Sequence, residues 1–183
     1  MKLLGHLITI TKHRNMVVKL CFKAGIGGQG LMHDLSKYSV TELKTGAKYY
    51  SGTRSPNAYE RDEKGYSSAW LHHKGRNKHH FEYWVDYSKA EKRDVPVPMP
   101  LRYMVESLCD RIAASKIYKG KDYTDREPLD YFLRGNDDKR MHPDTAKTML
   151  EWLNMLVEKG EKETLKYLKS LIKTAKKQKK KQK

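Results

Sequence analysis

The sequence predicts an all-α fold, a helical bundle followed by a basic C-terminal tail. Three observations carry this. Apolar residues recur at helical spacing over His6–Lys23, Leu101–Lys119 and Met149–Val157. Helix start and stop signals punctuate those stretches. No run alternates as a convincing strand. The 183 residues suit one domain, expected over residues 1–172, with the Lys-rich residues 173–183 expected to be disordered. At 38% hydrophobic and 33% charged, a chain of this length hides roughly 70% of its unfolded surface, enough for a core.

From His6 to Lys23, the residues Ile10, Val17, Leu20, Cys21 and Ala24 form one stripe. The best strand candidates, Leu7–Thr11 and Val17–Phe22, belong to that helix by periodicity despite their β-branched residues. Gly25-Ile26-Gly27-Gly28-Gln29-Gly30 matches a dinucleotide-binding loop letter for letter. Such a loop needs a preceding strand and an acid about twenty residues on. Both are missing, so the segment reads as an inter-helix turn. A second helix is expected from Leu31 through His33, Asp34 and Lys37. Ser39-Val40-Thr41-Glu42 is a capping box opening a helix to about Tyr50. Ser51–Gly65 reads as a polar loop. Helix resumes near Ser67, passes His72 and His73, breaks at Gly75 and continues from Asn77 to Tyr87. The prolines of Val95–Pro100 make a stiff connector. In the clearest helix, Leu101–Lys119, the residues Leu101, Met104, Val105, Leu108 and Ile112 form one face. Gly120–His142 is irregular, with a short helix near Pro128–Leu133. Pro143 opens an amphipathic helix ending at Gly160, and a last helix spans Glu161–Thr174.

The net charge is +16, and seven lysines of residues 173–183 leave +9 on the body. That excess favours an anionic small-molecule or nucleotide substrate, and the tail is expected to attract nucleic acid non-specifically. No apolar run approaches the ~18 residues of a membrane span, and Thr9, Thr11, Lys12 and His13 interrupt the apolar start of the chain. The expected location is cytoplasmic, without a membrane partner. Cys21 and Cys109 lie in apolar helical patterns without Cys-x-x-Cys spacing, so reduced, buried thiols are expected.

Seven of the eight histidines lie within the first 80 residues. His13 falls on the buried stripe of its helix. His33 and Asp34 stand side by side, and a carboxylate has two oxygens with which to bridge two ions. Lys37 follows three residues later, where its ammonium suits a phosphate oxygen. His72, His73, His79 and His80 put four imidazoles into nine residues, and metal ligation by at least two of them is the reading. An intact helix and one broken at Gly75 point different rings inward, so which two stays open. Asp110 points away from the face centred on Leu108 and Ile112, into a second interface, where a carboxylate needs an arginine or a metal.

In this order, Lys12-His13-Arg14-Asn15-Met16-Val17, Gly30-Leu31-Met32-His33-Asp34-Leu35-Ser36-Lys37, His79-His80-Phe81-Glu82 and Asp110 resemble the signature of the HD-domain superfamily of metal-dependent phosphohydrolases. The resemblance covers roughly residues 6–118. Trp70-Leu71-His72-His73, Arg76-Asn77 and His79–Trp84 are further similar to a small bacterial and phage branch with that signature. The resemblance implies an HD-like bundle. His13, His33, Asp34 and Asp110 would be core ligands, with one or two of His72, His73, His79 and His80 completing a dinuclear site. Asp34 and Lys37 would be catalytic, and Lys37, Arg14, Arg76 and Asn77 would bind substrate. The cofactor would be one or two divalent ions, Mn, Fe, Mg, Co or Zn. Ser36 replaces the usual glycine before the lysine, the histidine pairs are closer than usual, and no Gly-Tyr-Pro follows, so cyclic-dinucleotide hydrolysis is not implied. The expected function is hydrolysis of a phosphorylated small molecule or nucleotide. The alternatives are a di-iron oxygenase on the same fold and a non-enzymatic polyanion binder using the lysine tail with Tyr49, Tyr50 and Trp84.

Overall fold

A computed structural model describes residues 2–181 and is mostly helical. The order is α1 (Lys2–Lys23), α2 (Gly27–Gly30), α3 (Val40–Tyr49), α4 (Pro56–Lys64), α5 (Ser68–Lys74), β1 (Val85–Ser88), β2 (Arg93–Pro96), α6 (Leu101–Lys119), α7 (Glu127–Arg134) and α8 (Pro143–Lys181). Among the described residues, no helix is long and apolar enough to cross a membrane. Cys21 and Cys109 are free thiols, both buried.

The core forms where α6 meets α1 on one side and α8 on the other. Val17, Leu20 and Cys21 of α1 join Val105, Leu108, Cys109 and Ile112 of α6, Phe132 of α7, and Met149, Leu153, Leu156 and Leu168 of α8. Each large side chain removed from water here contributes roughly 1.5–3 kcal/mol. Because α6 is covered on two sides, it buries polar Glu106 and Ser107 as well as its apolar stripe. Those polar positions face the site described below.

α8 breaks at Gly160, whose backbone takes φ 77° and ψ 167°. Asp125 Oδ2 accepts the Glu161 amide at 3.2 Å, satisfying a donor at the start of the following segment. Helix then continues to Lys181, past the Thr174 at which order is expected to end. Lys, Ala and Gln are good helix formers, and the lysines from Lys173 to Lys181 are exposed. Lys176 Nζ donates to the Gly25 carbonyl at 3.2 Å.

Four local expectations are corrected. No helix covers residues 31–37: after α2 the chain makes successive turns and a 3-10 turn, Leu35–Tyr38. Asp34 adopts the left-handed conformation, φ 54° and ψ 26°, which a right-handed helix cannot accommodate. The glycine-rich break is not merely loose, since Gly27–Gly30 forms a helical turn laid against α1. A Cβ on Gly30 would lie 2.5 Å from Cys21 Cβ. The segment read as a loop contains α4, opened by Pro56 in its first turn and closed by Gly65 at φ 79°. Finally, Asn77–Tyr87 is not helical. It holds a turn, a 3-10 turn (Phe81–Tyr83) and β1, which pairs antiparallel with β2, Val85 opposite Pro96 and Ser88 opposite Arg93. Val85, Tyr87 and Val95 are strand formers, and Pro96 sits at the end of a strand, where a lost donor costs least.

Candidate metal centre

Five segments converge. α1 contributes His13, one turn before buried Val17. The turn after α2 contributes His33 and Asp34. α5 contributes His73 from its last turn, and the turn that follows contributes His79 and His80. α6 contributes Asp110 and, one turn earlier, Glu106. Arg14 holds the His33–Asp34 turn against α1, donating from Nε to the His33 carbonyl at 3.2 Å and from its terminal nitrogen to that of Leu31.

The ligand-type atoms form three groups, of which two share Asp34 and the third joins His33 and His79 to Glu106. In the first, His13 Nε2 lies 2.9 Å from Asp110 Oδ1 and 3.8 Å from Asp34 Oδ2. His33 Nε2 lies 3.2 Å from Asp34 Oδ2 and 3.6 Å from Asp110 Oδ1. In the second, Asp34 Oδ1 lies 3.2 Å from His73 Nε2 and 3.4 Å from His79 Nε2. His73 Nε2 and His80 Nε2 are 2.9 Å apart. Within each group the ligand atoms lie within 4.8 Å of one another. Despite these short distances, His13 Nε2, His33 Nε2, His79 Nε2 and both Asp34 oxygens are buried without an aligned hydrogen-bond partner. Buried polar atoms are rarely left so. The atoms of each group lie close enough together to share one cation.

Outer carboxylates set the tautomers. Glu106 Oε1 accepts from His33 Nδ1 at 2.8 Å and lies 3.3 Å from His79 Nδ1. Glu42 accepts from His72 Nδ1 at 2.8 Å and from His73 Nδ1 at 2.9 Å. Holding the proton on Nδ1 leaves the Nε2 lone pairs of His33, His73 and His79 turned inward and more basic, the arrangement metal-binding histidines use. Burial alone would raise the Asp34 pKa, but His33, Lys37 and His73 hold it well below the usual carboxylate range. Burial likewise opposes ionisation of Glu106, yet hydrogen bonds from His33 and His79 bring it to about 2. Asp110 is also held low against burial, by His13 and His33. The positive charge that offsets these acids comes from Lys37 and from the imidazoles, His33 and His73 being raised by the acids against the effect of burial. The donor set of imidazole nitrogen and carboxylate oxygen fits Mn, Fe, Co or Zn better than Mg or Ca.

Of the ligands expected from sequence, His13, His33, Asp34, His73, His79, His80 and Asp110 are brought together, whereas His72 stands outside both groups on the far side of Glu42. Lys37 Nζ lies 2.6 Å from Asp34 Oδ2. The other expected substrate contacts do not face the site. Arg14 is committed to the backbone carbonyls described above. Arg76 is exposed and donates to the His72 carbonyl at 3.2 Å. Asn77 is buried, and its Nδ2 donates to Ser36 Oγ and to the His73 carbonyl, both at 2.8 Å. Closeness in sequence here means bracing rather than lining: none of the three is among the cleft's residues, and Asn77 Nδ2 instead sits 3.1 Å from His73 Nδ1.

In front of the ligands opens a cleft of about 840 Å³, reached by His13, Lys37, His73, His80 and Asp110 and walled by α1, α3, α4, α5, α6 and α7. Its cations are Lys37, Arg54, Arg61, Arg111, Lys119, Arg134 and Arg140. Arg111 and Arg140 are paired with Asp137, whereas Arg61 lies over the Trp70 ring, 5.5 Å from its centroid. Sequence reasoning missed Glu106, although it sits four residues before Asp110 on the same helix face. It also missed Glu42, hidden beneath its role in the capping box: Ser39 Oγ does accept the Glu42 amide, at 3.4 Å, but the Glu42 side chain turns to the histidines.

No curated protein and no solved structure matches the chain. A family model matches residues 2–155, a span that contains every ligand and both outer carboxylates and stops within α8, and the chain belongs to that family, DUF5662, a family of unknown function.

Proposed function

We propose that the protein is a metal-dependent phosphohydrolase with a dinuclear His/Asp centre, carried on an HD-domain-like helical bundle and acting on a phosphorylated small molecule or nucleotide. One observation carries the reading: Asp34 directs one oxygen to each of two buried groups of ligand atoms. Bound there, divalent ions supply a Lewis acid for a phosphoryl oxygen and lower the pKa of water. The chain's own residues supply the rest. His13, His33, Asp34 and Asp110 form one position, and Asp34, His73, His79 and His80 the other. Lys37, beside Asp34 at the cleft floor, binds a non-bridging phosphate oxygen and offsets its charge. Arg61, free of an acid partner among the described residues, meets the same substrate further out. The cleft is far larger than phosphate alone, which supports an ester with a bulky leaving group.

The test joins metal quantification of the full chain with a panel of phosphomonoesters and nucleotides assayed under Mn²⁺, Co²⁺, Fe²⁺, Zn²⁺ and Mg²⁺. About two ions per chain and turnover of at least one ester are expected. Absence of turnover by metal-loaded protein on the whole panel would falsify the hydrolase reading. The histidine-rich second group also supports a di-iron redox enzyme, and anaerobic purification with iron analysis and an optical spectrum separates the two.

A further inference from the structure

We propose that Glu106 is a positioning residue common to both metal positions, so that the two ions load as a linked pair. The inference rests on the dinuclear reading. A single oxygen, Glu106 Oε1, faces Nδ1 of His33 at 2.8 Å and Nδ1 of His79 at 3.3 Å. His33 belongs to the first ligand group and His79 to the second. Their rings lie against each other, centroids 4.4 Å apart. The remaining oxygen is held as well: Gln29 Nε2 donates to Glu106 Oε2, and also to the Arg102 carbonyl at 3.3 Å. Glu106 is 5% exposed, so it has neither room nor solvent with which to exchange partners.

Glu42 provides an internal contrast. Its carboxylate holds His73 in the second group, and its other oxygen holds His72, which belongs to neither. Glu42 therefore bears on one metal position and Glu106 on two. An ion held by His33 Nε2 would make the His33 Nδ1–H a better donor and would strengthen its hold on Glu106. The carboxylate that orients His79 is then already in place for the second ion.

The experiment titrates Mn²⁺ and Co²⁺ into metal-free full-length protein by calorimetry, with ion positions read by anomalous diffraction. The variants are Glu106→Gln, Glu42→Gln and Gln29→Ala, each checked for fold by circular dichroism. Wild type is expected to bind two ions with positive coupling. Glu106→Gln should lose about 10- to 100-fold in affinity at both positions, the usual scale for an outer carboxylate. Glu42→Gln should lose it at the second position alone. Gln29→Ala, which leaves every ligand and its carboxylate intact, should weaken both by a smaller common factor. Loss at one position only in Glu106→Gln, independent loading in wild type, or an ion bound on Glu106 itself overturns the proposal while leaving the dinuclear centre standing. Failure of wild type to bind any ion removes the dinuclear reading, and the linkage with it.

Discussion

The segment from α3 to α5 and the pair α6–α8 are held in place by different physics. Among the described residues, the apolar core includes nothing between Ile26 and Phe81. The α3–α5 segment is tied instead by polar contacts. Glu42 grips His72 and His73, Asn77 grips Ser36, and buried Glu60 accepts from Ser67 Oγ and Ser68 Oγ, both at 2.7 Å, and from the Ala69 amide at 3.4 Å, at the start of α5. α6 and α8 interlock through leucine, isoleucine and methionine. An apolar interface has the same partners at every pH and metal concentration. A polar one that converges on Asp34 would be tightened by a cation under the proposed reading, so the two regions should respond differently to the same perturbations.

The largest expected effect comes from Asp34→Asn. It removes the one carboxylate that serves both ligand groups, and should lower metal affinity by more than the roughly 100-fold upper range of an outer-shell change, with hydrolysis abolished. Asparagine tolerates the left-handed backbone, so the melting temperature of the metal-free variant should fall by no more than the lost Lys37 ion pair accounts for, as read from Lys37→Met. A large drop there would show that Asp34 is a packing residue first.

Leu153→Ala, in the opposite region, should cost about 2–5 kcal/mol, read by denaturant melts. The loss should be equal with and without metal, and the folded fraction should bind ions normally. Chelation should do the reverse. Ions at a hundred times their dissociation constant stabilise by about 2.7 kcal/mol, and hydrogen exchange on their removal should rise first in α3 and α5 while α6 and the first half of α8 hold. Uniform deprotection would erase the distinction between the regions.

The smallest effect is Glu60→Gln. The pKa of Glu60 falls from 4.5 to about 2 against the effect of burial, because Ser67, Ser68 and Lys64 hydrogen-bond its ionised form. A group whose pKa is depressed on folding stabilises fully above its unfolded pKa and loses that as pH falls. The variant, which keeps one acceptor, should be about 1–2 kcal/mol less stable at pH 7. The difference from wild type should shrink between pH 4.5 and about 2. A gap independent of pH would assign the effect to packing.

The same division explains what could be read in the sequence. Where burial is apolar, periodicity suffices: the α1 stripe, both ends of α6 and the break at Gly160 were all legible. Where the structure is polar and made of turns, spacing misleads. The choice among His72, His73, His79 and His80 depends on α5 ending at Gly75 and a turn reversing the chain, which no helical wheel represents. Arg14, Arg76 and Asn77 lie beside candidate ligands in sequence but brace the backbone there and do not line the cleft. Glu42 already had an explanation as a helix cap, which concealed its second role. The hairpin was masked by its prolines and by the charged residues of its turn.

The backbone at position 34 carries a further consequence. Left-handed geometry is the one place where glycine or asparagine would relieve the main chain rather than burden it. The backbone therefore offers aspartate no protection there: what keeps it is its charge against Lys37 and the imidazoles, which asparagine or glycine would leave unpaired. A copy of this chain with asparagine or glycine at 34 would trade an easier main chain for unpaired buried cations, and would lose the one side chain that both ligand groups share.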